Sequence, residues 1–269
     1  MPNSPHIALT ARQASILAHA RVHGTVRIAR IATELGVSQE TVRRDVAPLV
    51  ERGDLVRQHG AVRAATETGE APFERRLRDH AEEKRAIALH VAATIADGDS
   101  VMMDTGTTTS ILARVLLDKR GLTIVTNSSD VARTLATVNG NKVYMAGGEL
   151  HGDNGAAFGR SAIDFISTFR VRHAIISIGA IDPAAGPMDF HFAEAELART
   201  VLGCGERRLI ITDHTKFNRS ALVRVCGYKD FDVLISDRLP PPDIVARLAA
   251  EGTRYEVAEP AALGVLPAR

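Results

Sequence analysis

From residue 82 onward the chain alternates between two kinds of segment. Short apolar runs at 100–105, 122–127, 142–147, 173–181, 207–213, 232–237 and 254–258 are separated by stretches with helical spacing at 84–95, 107–118, 129–137, 161–169, 194–203 and 242–251. Apolar runs this short, bounded by turn residues, fit strands buried on both faces. Strands that alternate with helices build βαβ units, whose crossovers cover both faces of a parallel sheet. The larger part of the chain is therefore expected to be an α/β domain, and an all-helical or all-β architecture is excluded for it.

The N-terminal part lacks this alternation. Residues 10–52 read as three short helices. Thr10 is placed to cap the first, which sets Ile16, Leu17 and Ala20 on one face and ends near His23 and Gly24. The second, 30–35, buries Ile31, Ala32 and Leu35; Gly36 supplies a turn and Val37 packs inward. Ser38 is a natural cap for the third, 39–52, in which Val42, Val46 and Leu49 recur at i, i+4 and i+7 before Gly53 ends it. This is the layout of a helix-turn-helix, in which the polar N-terminal side of the last helix is free to enter a major groove.

On that side Gln39 and Arg43 lie one turn apart, with Ser38, Thr41 and Arg44 nearby. Arg reads guanine O6 and N7 bidentately, while Gln, Thr and Ser reach adenine edges or phosphates. Residues 55–62 read as a β-wing carrying Arg57 and His59. The bland alternative is a three-helix bundle whose arginines are simply solvated. Cap, turn, apolar stripe and wing in one register favour the DNA reader.

Net charge bears on this only after it is divided. The 269 residues hold 33 Lys+Arg against 32 Asp+Glu, a balance that taken whole argues against binding a polyanion. Residues 1–63 hold nine Arg and no Lys against five acidic residues, a charge of +4, and the remainder carries −3. The positive excess is concentrated in the candidate DNA reader. Cys204 and Cys226 are too few and too far apart for a disulfide framework and read as buried thiols. No apolar run approaches a membrane span and Met1-Pro2-Asn3-Ser4-Pro5-His6 has no signal-peptide pattern, so a soluble, cytoplasmic protein is expected.

In open parallel sheets ligands sit at the carboxyl ends of strands. One such end is Asp104-Thr105-Gly106-Thr107-Thr108-Thr109, directly before a helix. Free N–H groups, the helix dipole and threonine hydroxyls there make an anion cradle. A plain N-cap with threonine-rich neighbours is the other reading, and on this segment alone the two weigh equally. It matches neither the Walker A loop nor the dinucleotide-binding glycine pattern, so ATP and NAD lose support and no cofactor is expected. Thr126-Asn127-Ser128, Gly147-Gly148 and Asp213-His214-Thr215-Lys216 also close apolar runs with polar residues. Lys is scarce, five against 28 Arg, and one of the five is Lys216 beside Asp213. Such a Lys can bind a phosphate or hydroxyl, or form a Schiff base; a surface ion pair is the bland version.

The run Ile31-Ala32-Thr33-Glu34-Leu35-Gly36-Val37-Ser38-Gln39-Glu40-Thr41-Val42-Arg43-Arg44-Asp45, followed by Gly53-Asp54-Leu55-Val56-Arg57-Gln58-His59-Gly60, resembles the signature of the DeoR family of bacterial transcriptional repressors. Ala61 stands where such proteins usually carry a second glycine, and Pro48 interrupts the third helix. The later half resembles the same family's C-terminal sensor domain at 83–88, 97–99, 104–109, 125–128, 147–148, 178–180 and 213–217. The resemblance implies a winged helix-turn-helix plus a parallel α/β sensor similar to ribose-5-phosphate isomerase and glucosamine-6-phosphate deaminase. It implies that Gly106, Thr107, Thr108 and Thr109 grip a phosphate and that Asp104, Asn127, Asp213 and Lys216 face the sugar. Gly148 and Glu194 are expected at the same site. The 186–191 stretch departs from the family's usual form, and ligand specificity is expected to differ there.

The expected domains are a DNA reader at 1–62, a linker at 63–83, a phosphosugar sensor at 84–259 and a tail at 260–269. The function implied is a repressor, acting as a homo-oligomer on double-stranded operator DNA and released by a phosphorylated sugar or polyol. The 182–189 and 213–216 stretches are closest to relatives governing glycerol-phosphate or sugar-alcohol use. The alternative is a phosphosugar isomerase-like or deaminase-like enzyme fused to a DNA-binding head, with Asp104, Glu194, His191 and Lys216 as acid and base groups. An enzyme gains nothing evident from a fused DNA reader, so no catalysis is expected. His151, Asp153, Asp189, His191 and His214 match no metal-ligand spacing, and no metal is expected.

Overall fold

The first helix starts at its expected cap: Thr10 Oγ1 accepts from the Gln13 N–H at 3.2 Å, and Gln13 Oε1 accepts from the Thr10 N–H at 3.0 Å. The computed structural model describes residues 9–23, 25–51, 54–58, 60–64 and 71–259. The chain divides into two compact units, Met1–Arg75 and Arg76–Arg269.

In the first unit, α1 (Ala11–His23), α2 (Ile28–Leu35) and α3 (Gln39–Glu51) pack beside a small antiparallel sheet of β1 (Val26–Arg27), β2 (Leu55–Gln58) and β3 (Ala61–Ala64), ordered β1-β3-β2. The expected stripes meet in one core: Ile16, Leu17, Ala20, Ile31, Val42, Val46, Leu49, Leu55 and Val62 are all buried. Each such aliphatic side chain contributes roughly 1.5–3 kcal/mol on burial. Gly36 takes φ +64 at the end of α2, a conformation that suits glycine, and so lets α3 leave at an angle. α3 runs on through Pro48 to Glu51. The stops expected at Gly24 and Gly53, and the wing residue His59, lie outside the described residues.

The 63–83 stretch is expected as a linker, with a charged and helix-like segment from Phe73 to Ala81. It contains the end of β3, a short helix α4 (Phe73–Arg78) and the first turn of α5 (Ala81–Ala93). His80, at φ +55, breaks the chain between the two helices.

The second unit is built on β4 (Ser100–Met103), β5 (Thr123–Thr126), β6 (Lys142–Met145), β7 (Val171–Ser177), β10 (Gly205–Ile211), β12 (Val233–Ser236) and β13 (Arg254–Val257). They form one parallel sheet in the order β13-β12-β10-β7-β4-β5-β6. Alternate strand residues face opposite sides. Val101, Met103, Ile175, Leu209 and Ile211 pack with Ile87, Leu112 and Val131 of α5, α6 (Thr107–Val115) and α7 (Ser129–Leu135). Met102, Ala174, Ile176 and Ile210 pack with Ile166, Val201 and Ile244 of α8 (Arg160–Ser167), α9 (Phe192–Gly203) and α10 (Pro242–Ala250). Both faces are covered, as the alternation requires.

The run expected as one strand at 173–181 divides. β7 ends at Ser177, and β8 (Ala180–Asp182) joins β9 (Gly186–Asp189) and β11 (Val223–Arg224) in a separate antiparallel sheet ordered β11-β9-β8. Gly179 lies at this break, where a Cβ would stand 2.8 Å from the Phe190 ring, so the close approach of the two segments suits glycine. Cys204 and Cys226 are buried free thiols, and burial pushes Cys226 up to about 12. Among the described residues no helix is long and apolar enough to cross a membrane.

Candidate functional site

The polar side of α3 is ordered by its own first turn. Ser38 Oγ accepts the Thr41 N–H at 3.1 Å and lies 2.8 Å from Thr41 Oγ1. Both hydroxyls, expected as DNA contacts, are thus engaged in capping. Arg12 pairs with Asp45, its Nη2 donating to Oδ1 at 3.1 Å, and this ties α1 to α3. The wing is tied too, since Arg57 Nη2 donates to the Arg43 carbonyl at 3.4 Å. Gln39, Arg43 and Arg44 remain exposed on one helical face, with Arg43 3.3 Å from Glu40 Oε2. A rigid helix that presents one amide and two guanidinium groups beside a wing suits major-groove contact.

In the second unit the sheet order creates a crevice. From β4 the chain moves outward through β5 and β6, then returns to place β7 on the other side of β4. The carboxyl ends of β4 and β7 therefore flank a topological switch point, where open α/β sheets bind ligands. The loop after β4 leads straight into α6, with extended Gly106 as its N-cap and no side chain capping it. The first N–H groups of a helix have no carbonyl partner within it. A Cβ on Gly106 would meet Ser177 Oγ at 1.8 Å, so the two strand ends can be this close only with glycine at 106.

Asp104 locks that junction. Its carboxyl oxygens accept from the Ser177 N–H at 3.1 and 3.2 Å. Burial holds its carboxyl well above the usual range, and Asp189 and Glu194 add to the effect against the Ser177 bond. Thr109 is fully buried and donates to the Asp104 and Gly106 carbonyls at 3.2 and 3.0 Å, so its hydroxyl serves the loop itself. Thr107 and Thr108 are almost as buried. Thr105 Oγ1, Ser110 Oγ and Asn127 Oδ1 are buried with no hydrogen-bond partner among the described residues. Asn127 uses its other end, donating from Nδ2 to the Ala157 carbonyl at 3.0 Å. Unsatisfied polar atoms in the loop after β4, the start of α6 and the end of β5 call for an explanation, and a polar ligand supplies one.

Asp213 and Lys216 close the next strand but one. Burial alone would raise Asp213, yet the Thr215 hydroxyl, Lys216, the Thr215 N–H and Lys84 together hold it below the usual range. Two buried carboxyls at one end of the sheet are thus driven apart, Asp104 toward neutral and Asp213 toward charged. Glu194, in the first turn of α9, accepts from Asn154 Nδ2 at 3.1 Å. Gly148 stands apart: it is exposed, and the atoms nearest a Cβ there belong to Ser161, Ala157 and Phe158 rather than to the threonine run.

Sequence reasoning did not assign Ser177, Asn154 or Lys84 to this site, whereas Asp189 lies in the 186–191 stretch where specificity is expected to differ. Lys84 is 3 % exposed, and burial lowers its amine to about 8 although Asp213 pulls it upward. Its scarcity as a Lys was the one signal. Among the described residues no group of His, Cys, Asp and Glu converges as a metal site.

Known proteins share both halves. Residues 12–68 match the DeoR-like helix-turn-helix domain, and residues 79–238 match the DeoR C terminal sensor domain. The HTH-type transcriptional repressor CsqR of Escherichia coli (strain K12) is 36% identical over 225 residues, 84% of this chain and 86% of that protein. The Glycerol-3-phosphate regulon repressor of the same organism is 31% identical over 248 residues, 92% of this chain and 98% of that protein. Among solved structures, ribose 5-phosphate isomerase A from Methanocaldococcus jannaschii superposes with a TM-score of 0.38 and 10% identity, covering 51% of this chain and 54% of that one, too slight a likeness to bear on function. With a family model spanning more than half of its length and relatives above 30% identity along most of it, the chain belongs to the DeoR family.

Proposed function

We propose that the protein is a transcriptional repressor of a sugar or polyol catabolic operon, released from its operator by a phosphorylated sugar or polyol. The observation that carries the effector half is the set of buried, unpartnered polar atoms, Thr105 Oγ1, Ser110 Oγ and Asn127 Oδ1, around the open start of α6 at the switch point. A phosphate at the first turn of α6 takes its free N–H groups and the favourable end of its dipole. The hydroxyls of a sugar or polyol then reach Asn127, Asp213 and Lys216.

The free protein binds operator DNA as a homo-oligomer through Gln39, Arg43 and Arg44, with phosphate contacts from Arg57 and the wing. The effector shifts the protein toward a weaker-binding state, and it can do so only by its difference in affinity for the two states, typically about 1–3 kcal/mol. The chain acts as a switch and not as an enzyme; the buried Asp104 carboxyl, both oxygens of which accept from the Ser177 N–H, is a structural pin rather than a base facing substrate. A thermal-shift screen over phosphorylated sugars and polyols, glycerol 3-phosphate among them, tests this reading. A rise in melting temperature with one compound, paired with loss of its operator complex, is expected. Turnover of that compound by the protein would overturn it.

A further inference from the structure

The helix α3 carries a carboxylate at the middle of its outward face. At about 100° per residue, Glu40 points about 160° away from Val42 and about 180° away from Leu49, two residues of the stripe that α3 buries. In the same projection it stands about 60° from Arg43 and about 40° from Arg44, between the two arginines. Its side chain is 73 % exposed, and its Oε2 accepts from Arg43 Nη1 at 3.3 Å. Its neighbours Ser38 and Thr41 are turned to capping, and Asp45 is drawn to Arg12 of α1. The helix dipole favours an acid anywhere in the first turn. It does not account for an acid set between the two cations that a DNA backbone would attract.

We infer that Glu40 selects a cytosine beside the guanine that Arg43 reads. This rests on the reading of α3 as the helix that enters the major groove. DNA carries one phosphate charge about every 1.7 Å of its axis, so a carboxylate brought into the groove is repelled unless a base offers it a donor. Guanine presents only acceptors there, and thymine an acceptor and a methyl group, whereas cytosine presents its N4 amino group. Adenine sets its N7 acceptor beside its N6 donor, a pattern that an amide matches and a carboxylate does not. The pairing with Arg43 fixes where the cytosine lies. A guanidinium has five donors in a rigid fork, so Arg43 takes guanine O6 and N7 with two of them and keeps Glu40 on another. The two side-chain ends then meet neighbouring base edges. The pair is close to neutral as a unit and adds little to the attraction for phosphates. Glu40 therefore contributes discrimination rather than affinity, because thymine in place of cytosine removes its donor and sets a repulsive O4 against it.

Full-length wild type, Glu40→Ala, Glu40→Gln and Arg43→Ala are each used to select duplexes from a library randomised across the binding site. The selected sites are then titrated by fluorescence anisotropy at fixed salt, without effector. The wild type should select a guanine with a cytosine beside it. Replacing that C·G pair by T·A should weaken wild-type binding at least tenfold, and binding by Glu40→Ala or Glu40→Gln less than threefold. Alanine has no acceptor to lose, and the glutamine amide donates to O4 as readily as it accepts from N4. Both variants should melt cooperatively and bind a random duplex at least as tightly as the wild type, since a negative charge has left the groove. A penalty in Glu40→Ala within twofold of the wild type's, or a wild type that selects no cytosine, overturns the assignment. Arg43→Ala separates that failure from a failure of the groove reading. If Arg43→Ala loses the guanine while Glu40→Ala keeps the cytosine, α3 enters the groove and Glu40 does not read it. If neither substitution changes the selected site, α3 is not the reading helix and both inferences fall.

Discussion

The Asp104 carboxyl and the Ser177 N–H, 3.1–3.2 Å apart, join the ends of β4 and β7 at the point where the sheet's winding reverses. The bond joins the two strand ends, and burial holds the carboxyl well above the usual carboxylate range. A carboxyl whose folded pKa lies above its unfolded value, about 3.9, takes up protons on folding. Its stabilising contribution is complete below the unfolded value and is lost as pH rises toward the folded one. Asp104→Asn keeps an acceptor for Ser177 and cannot ionise. Its urea midpoint relative to the wild type should therefore climb between pH 4 and pH 8. A constant difference across that range would show that folding does not raise the Asp104 carboxyl.

Ser38 caps α3 through its bond to the Thr41 N–H. Ser38→Ala should destabilise the head by about 1 kcal/mol, within the 0.5–2 kcal/mol typical of a lost N-cap. Chemical denaturation followed by helical circular dichroism checks this. No loss of stability would mean that the hydroxyl acts on DNA rather than on the fold.

Arg43 and Arg44 are exposed neighbours with different surroundings, because Arg43 leans on Glu40 and its carbonyl holds Arg57. If Arg43 reads a guanine, Arg43→Ala should weaken operator binding by about 1–3 kcal/mol and leave effector binding intact. Arg44→Ala, if it touches phosphate, should weaken specific and random DNA alike and flatten the salt dependence. Anisotropy titrations at several salt concentrations separate the two. Equal effects on operator and random duplex from Arg43→Ala would take it off the base edges.

How much of this was legible before folding follows from the range of each interaction. The helix-turn-helix could be read because its signals are local: Thr10 and Ser38 cap within three residues, and Val42, Val46 and Leu49 share a face by helical period alone. The parallel sheet was equally plain, since apolar runs and helical stretches alternate along the chain. The three-stranded side sheet was not, for its strands have two to four residues and too little length for a period to show. At its break from β7, Gly179 lies close against Phe190, an approach no sequence window reveals. In the candidate site the threonine run and Asp213-Lys216 stood out as strand ends. Lys84 did not, because its burial beside Asp213 arises only when α5 lies against the sheet.

The most direct test of the account is operator release. Full-length wild type, Thr108→Val and Lys216→Ala should be titrated onto the operator with and without a saturating phosphorylated polyol that stabilises the wild type. All three should bind DNA alike without it, while only the wild type should lose at least fivefold in affinity when it is present, about 1 kcal/mol of coupling. Normal release by Thr108→Val and Lys216→Ala would contradict the placement of the effector at these strand ends.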